Sequence, residues 1–284
     1  MVRAILEKGI ALQQTGDHAA AEKIFRQVLE RDPEHPDALH MLGLTLHGQG
    51  RFAEAAPAID KAITVLPNQA MFHTHAGVVA AALGAVDPAV EHYKMAIKCD
   101  PDYADAYNNM GNAFKAQGKI DEAIEAYKKC ILLKPDYANA YINLAVAYRA
   151  QGKLDDTINA YHKFIFLNPE NADAYVNIGN VLQEQFKFDQ AISSYNKAIS
   201  LNPNSAQAFY NLGTAQLALH KIENAIECYS KALSINPNYV QAHYNLGVAL
   251  KDQGKFEDAI TAYNKAILLN PNYAQAYNNL GITL

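Results

Sequence analysis

Six asparagines recur 34 residues apart: Asn109, Asn143, Asn177, Asn211, Asn245 and Asn279. A carboxamide donates and accepts hydrogen bonds at once, so a row of them can pair with the backbone of an extended chain. Asparagine is a mediocre helix former because its amide competes for backbone hydrogen bonds. Six of them at mid-helix positions therefore carry a cost that packing does not require. Two readings stand side by side and are compatible. Each amide bonds to a neighbouring helix as an internal ladder, or each pairs with a polypeptide lying along the row. If the helices pack ~10 Å apart, six span roughly 50 Å, enough for on the order of 15 extended residues. Asn112 and Asn180 follow the row three residues on, and Asp105 and Asp173 precede it by one turn. Lys115 and Arg149 lie six residues after it, near the far edge of the same face. These twelve are the candidate peptide contacts. The mixed charge around the row fits either a solvated polar face or selection for ligands of mixed charge.

Other chemistry finds little support. Seven of ten histidines precede residue 104, and fifteen of seventeen tyrosines follow it. His40, His47 and His75 are expected to project into the same face, but no HExxH or Cys/His cluster accompanies them, so no metal is expected. Cys99, Cys130 and Cys228 fall at three different positions of the 34-residue interval, without a CxxC pair. They read as free buried thiols in a reducing compartment, which places the expected location in the cytoplasm, or the nucleocytoplasm of a eukaryote. No nucleophile–base constellation, GxGxxG or P-loop occurs, so neither catalysis nor a cofactor is expected. A formal charge of −5 argues against nucleic acid, which needs a basic face. No apolar run approaches the ~20 residues of a membrane span, and no signal-peptide core follows the N-terminus.

The elements that position the row follow from the same interval. The 284 residues divide into one Met, eight blocks of 34 and 11 left over. Eight of the eleven prolines obey the division: Pro33, Pro67, Pro101, Pro135, Pro169, Pro203, Pro237 and Pro271. A period between ~20 and ~50 residues marks units that bury their apolar faces only against their neighbours. The repeats run 2–35, 36–69, 70–103, 104–137, 138–171, 172–205, 206–239 and 240–273, with a partial unit at 274–284. Within each, small residues (Gly111, Ala123) and aromatics (Tyr107, Tyr127) recur at helical spacings. The pattern predicts a first helix over about 104–117 and a second over about 121–133, stopped by Pro135. Gly118-Lys119 and its equivalents separate the two helices. Acids open the second helix and lysines close it, complementing its dipole. One segment departs from the pattern. Phe186 replaces the turn glycine and Phe164 a small residue, and with Phe166 and Phe188 they concentrate aromatic bulk. Exposed apolar patches mark interfaces, so Phe166 and Phe186 are candidates for self-association as a homodimer.

Asp105-Ala-Tyr-Asn-Asn-Met-Gly111 through Tyr127 to Pro135 resembles one tetratricopeptide repeat, with Tyr, His or Phe in place of the usual Trp. The resemblance spans 2–284 in strict register. It implies an all-α fold: a right-handed α–α superhelix of eight helix-turn-helix repeats plus one extra helix, its first helices lining a concave groove. It also implies a protein–protein interaction scaffold that binds an extended polypeptide in that groove. The asparagine row further resembles the repeat region of O-linked N-acetylglucosamine transferases and their SPINDLY-type relatives. That resemblance makes the row substrate-polypeptide contacts of a glycosyltransferase whose catalytic domain lies beyond this chain, and the final eleven residues read as a cut through a longer array. A further class of the family grips the C-terminal carboxylate of heat-shock chaperones with Lys and Arg on first helices. Here asparagines, acids and amides occupy those positions, which counts against a chaperone clamp.

Overall fold

A computed structural model describes residues 2–284, and the described residues form seventeen α-helices with no strands. The first helices of the repeats are α1 Val2–Gln14, α3 Pro36–Gly48, α5 Ala70–Ala82, α7 Ala104–Ala116, α9 Ala138–Ala150, α11 Ala172–Glu184, α13 Ala206–Ala218, α15 Val240–Asp252 and α17 Ala274–Thr283. The second helices are α2 His18–Arg31, α4 Phe52–Val65, α6 Val86–Cys99, α8 Ile120–Leu133, α10 Leu154–Leu167, α12 Phe188–Leu201, α14 Ile222–Ile235 and α16 Phe256–Leu269. None is long and apolar enough to cross a membrane.

Every second helix ends by the same device. The residue before the periodic proline is pushed out of the helical region by the proline ring. From Asp32 to Asn270 these residues take φ between −126° and −141° and ψ between 72° and 99°. Each still donates its N–H to the carbonyl four residues back, as Lys134 does to Cys130, so the last turn closes before the chain leaves. The turn between the two helices needs a left-handed residue. Glycine supplies it in six repeats, for instance Gly118 at φ +74°. Phe186 and His220 hold the same conformation at +59° and +56°.

The chain forms two compact units, Met1–Gly152 and Lys153–Leu284. In the first, α1 to α8 form four packed pairs and α9 lies on α8. In the second, α10 lies on α11, α11 to α16 form three pairs, and α17 lies on α16. The partners in a pair close on each other because one face is small and the other aromatic. A Cβ on Gly111 would stand 2.5 Å from the Tyr127 ring, a separation only glycine permits. Tyr127, Tyr195, Tyr229 and Tyr263 are completely buried, each beside a completely buried alanine four residues earlier. Complete burial of an aromatic side chain removes ~150–250 Å² from water, so these rings dominate each repeat's core.

Candidate peptide-binding face

The asparagine row lies in the middle of the first helices, and its amides are half-buried except Asn211, which is buried. Four of the six amide nitrogens bond inside the protein. Asn143 donates to Asn108 Oδ1 at 3.0 Å, Asn245 to the Tyr210 hydroxyl at 3.1 Å and Asn279 to the Tyr244 hydroxyl at 3.0 Å. Each bond runs to the preceding repeat's first helix, 35 residues back. Asn211 has Val176 at that separation, which cannot accept, and it reaches Asn180 Oδ1 31 residues back at 2.7 Å instead. The internal ladder is thus present. It is made by the nitrogens.

The carbonyl oxygens behave differently. Asn211 Oδ1 accepts from Gln207 at 2.9 Å, and Asn109 Oδ1 from Asn108 at 3.3 Å. Among the described residues those of Asn143, Asn245 and Asn279 have no partner, and Asn177 makes no side-chain hydrogen bond. The remaining predicted residues divide in the same way. Asn112 and Asn180 serve the core, accepting from the hydroxyls of Tyr127 at 2.8 Å and Tyr195 at 2.9 Å. Asp105 accepts from Tyr137 at 2.6 Å, whereas Asp173 is exposed in the first turn of α11. Lys115 is half-buried in the last turn of α7, and Arg149 is exposed in the last turn of α9.

Of the N-terminal histidines, His40 does not line the groove. His40 is buried and stacks on Phe72, with ring centroids 4.4 Å apart, and its Nε2 lies 2.6 Å from Nδ1 of His75. The pair occupies the positions that Asn108 and Asn143 hold two repeats on, so it is a rung of the ladder in imidazole form. Burial pushes the His40 pKa down to about 3, with the neighbouring His75 adding to the effect. Burial lowers His75 as well, against the pull of Asp105 and with a smaller push from His47. His47 itself is half-buried against Phe52. No group of three His, Cys, Asp or Glu among the described residues is placed to hold a metal.

Phe166 and Phe186 are 84% and 80% exposed, but they do not share a patch. Gln185 and Lys187 both reach Asp155 at the start of α10, fixing the α11–α12 turn there. Phe166 lies eleven residues further along α10, roughly 16 Å away at the helical rise. Phe186 meets the half-buried Phe188 edge-on at 6.2 Å, while Phe164 is buried in the core.

Two sets of contacts were not foreseen. Gln117, Gln151, Gln185 and Gln253 donate to Asp87, Asp121, Asp155 and Glu223, each 30 residues earlier, at 2.5–3.0 Å. Their recurrence immediately before the turn glycine, or before Phe186 where that replaces it, was the available signal. Tyr107, Tyr141, His73 and His243 bond to the carbonyls of Pro101, Pro135, Pro67 and Pro237. Each therefore ties the start of a first helix to the loop that precedes it.

Family profiles described as TPR repeat match residues 79–118, 111–152, 145–185 and 217–254. Profiles described as tetratricopeptide repeat match 6–70, 172–205, 194–227 and 240–273. The chain belongs to the tetratricopeptide-repeat family. Among solved structures, that of MamA is 30% identical, covers 58% of this chain and 97% of its own, and superposes with a TM-score of 0.55. YrrB, described as a tetratricopeptide-repeat protein with an unusual peptide-binding site, is 23% identical over 66% of this chain and 97% of its own, with a TM-score of 0.56. The Cut9–Hcn1 hetero-tetramer of the APC/C is 20% identical over 94% of this chain and 52% of its own, also at 0.56. The latter two likenesses show the fold. No curated protein sequence matches the chain.

Proposed function

We propose that this scaffold binds polypeptide in extended conformation along the first-helix face, through the ladder's carbonyl oxygens. The carrying observation is the asymmetry of the amides. The nitrogens of Asn143, Asn211, Asn245 and Asn279 are held by the preceding repeat, which fixes those rotamers, while the oxygens of Asn143, Asn245 and Asn279 have no partner among the described residues. A fixed row of acceptors suits the N–H groups of an extended backbone, and ordering it beforehand lowers the entropic cost of binding. In the unit Lys153–Leu284 the row is Asn177, Asn211, Asn245 and Asn279. At ~10 Å between helices it spans roughly 30 Å, or about nine extended residues. Backbone pairing confers little sequence preference, which suits a general scaffold. Substrate recognition for a glycosyltransferase of the O-linked N-acetylglucosamine type would use the same face. The three free cysteines support a reducing, cytoplasmic setting.

Asn177 gives the cleanest test because its side chain makes no hydrogen bond among the described residues. Asn177→Ala should leave stability within ~0.5 kcal/mol. It should weaken an unstructured fluorescein-labelled Gly/Ala/Ser peptide roughly 3- to 10-fold, the worth of one hydrogen bond. Fluorescence anisotropy measures the affinity and circular dichroism the helicity. Equal affinity for Asn177→Ala and wild type would leave the row a purely structural ladder.

A further inference from the structure

In repeat 70–103 two polar contacts that other repeats make are missing together, and a cavity lies beside them. Three of the buried inter-helix tyrosines hand their hydroxyls to a polar residue on the first helix of their own repeat, whereas Val78, Val146 and Val248 stand at that position before Tyr93, Tyr161 and Tyr263. Tyr127 bonds to Asn112, Tyr195 to Asn180 and Tyr229 to Thr214. In repeat 70–103 the equivalent acceptor is Val78, which can accept nothing. Tyr93, only 2% exposed, therefore has a hydroxyl with no hydrogen-bond partner among the described residues, and burial alone pushes its pKa up to about 12. The neighbouring rung is missing as well. The residue 35 before Asn109 is Thr74, whose hydroxyl donates to the Ala70 carbonyl at 3.0 Å and accepts nothing from the Asn109 nitrogen, which has no partner among the described residues. Val248 makes the same replacement before Tyr263, but that hydroxyl is sealed from the surface.

The cavity, of about 270 Å³, lies among α5, α6 and α7. Its apolar wall is Val78, Ala81, Val86, Ala113 and Ala116, and its polar groups are Tyr93, Asn109 and Asn112. Three donors are available there: the Tyr93 hydroxyl and the nitrogens of Asn109 and Asn112, whose oxygens already accept one bond each. No cationic side chain lines it.

We propose that this cavity is a side-chain pocket of the peptide-binding face, selecting an uncharged carboxamide, Gln or Asn, on the bound polypeptide. The inference rests on the groove reading and adds a selective element to a face that otherwise reads only backbone. The chemistry chooses the occupant. Donors on an apolar wall call for an acceptor. A carboxylate would be desolvated with no cation opposite it, a burial that costs several kcal/mol without pairing. A purely aliphatic side chain would leave the Tyr93 hydroxyl and two amide nitrogens dry and unpaired. A carboxamide oxygen meets the donors, and its own nitrogen can bond to the second lone pair of the Asn109 or Asn112 oxygen.

The test uses the full chain and fluorescein-labelled extended Gly/Ala/Ser peptides that differ only at a central residue: Ala, Gln, Glu or Leu. The peptides slide along the face, so the best register is found without design. The Gln peptide is expected to bind about tenfold more tightly than the Ala peptide, the worth of one to two satisfied hydrogen bonds. Val78→Asn, which gives Tyr93 the acceptor that Asn112 gives Tyr127, should erase the difference. Tyr93→Phe should erase most of it and guards against misfolding of the first variant. A Glu or Leu peptide binding tightest, equal binding of Gln and Ala peptides, or a Gln preference that survives both variants would each overturn the pocket while the groove reading stands. If none of the four peptides binds, the groove reading itself fails and takes the pocket with it.

Discussion

The buried imidazole rung should make the N-terminal repeats acid-labile. In the unfolded chain His40 titrates near ~6.5, whereas in the fold its pKa is lowered to about 3. The neutral form is the one the fold favours, so below ~6.5 the unfolded state holds the extra proton. Stability is then complete above that pH and falls as pH drops towards 3. Each unit of pH in that window removes about 1.4 kcal/mol per proton, so acidification from 7 to 5 should cost about 2 kcal/mol through His40. His75 adds in the same direction, since it too is lowered by burial. The groups facing the pair are Phe72, which stacks on His40, and His47 and Asp105, which act on His75 in opposite senses. None of them replaces the lost solvation of a charged His40.

The comparison variant is His40→Asn with His75→Asn, which rebuilds the rung that Asn143 makes to Asn108. It removes both titrating groups while keeping a hydrogen bond between the helices. Repeat arrays unfold in parts rather than all at once, so a global melting midpoint would dilute the effect. Amide hydrogen exchange localises it. Between pH 7 and 5, wild type should lose about 2 kcal/mol more protection in α3 and α5 than the variant, with α7 and α9 changing little. Parallel pH profiles in α3 and α5 would show that His40 is protonated in the fold without penalty, and the reasoning from burial would fail.

Three other outcomes follow from packing and backbone geometry. Phe186→Gly should raise the urea midpoint, because a bulky residue held at φ +59° and exposed to solvent costs about 1–2 kcal/mol, against ~0.4–1 kcal/mol for the freer unfolded glycine; a lower midpoint would mean that the ring's edge contact with Phe188 outweighs the strain. Light scattering on the same variant reads self-association, and an unchanged mass removes Phe186 as a contact between copies. Gly111→Ala should destabilise by about 1–3 kcal/mol, since its methyl group would lie 2.5 Å from the buried Tyr127 ring. Gly118→Ala meets nothing within 4 Å and loses only the left-handed preference, about 1 kcal/mol; the reverse order of the two glycines, measured by chemical denaturation, would contradict the packing account.

The helices and their boundaries could be read from a single interval because the features that define them repeat within it. A proline stops each second helix, a left-handed residue turns the chain, and an alanine–tyrosine step closes the pair. Each device acts inside one repeat, so its period is 34. The bonds that join one repeat to the next obey other separations. The ladder amides reach back 35 or 31 residues and the glutamines reach back 30. Aligning repeats on their own period therefore shows the donors and hides the acceptors. His40 illustrates the loss. Beside Met41 in the aligned row it looked like a groove histidine, while its actual partner, His75, stands at the ladder position one repeat on.

That offset also says where to look for ligand chemistry. An asparagine in the row is tied up when the residue 35 before it can accept, as Asn108, Tyr210 and Tyr244 do. Where that residue cannot or does not accept, the amide must find another partner or remain available. Val176 diverts Asn211 to Asn180, and Thr74 takes no bond from the Asn109 nitrogen. The six asparagines are thus one residue type in two conditions, set by a neighbour from the preceding repeat. Asn109 and Asn177 are the positions where the fold gains least from the amide, so a loss of peptide affinity on replacing them is the observation hardest to attribute to the scaffold.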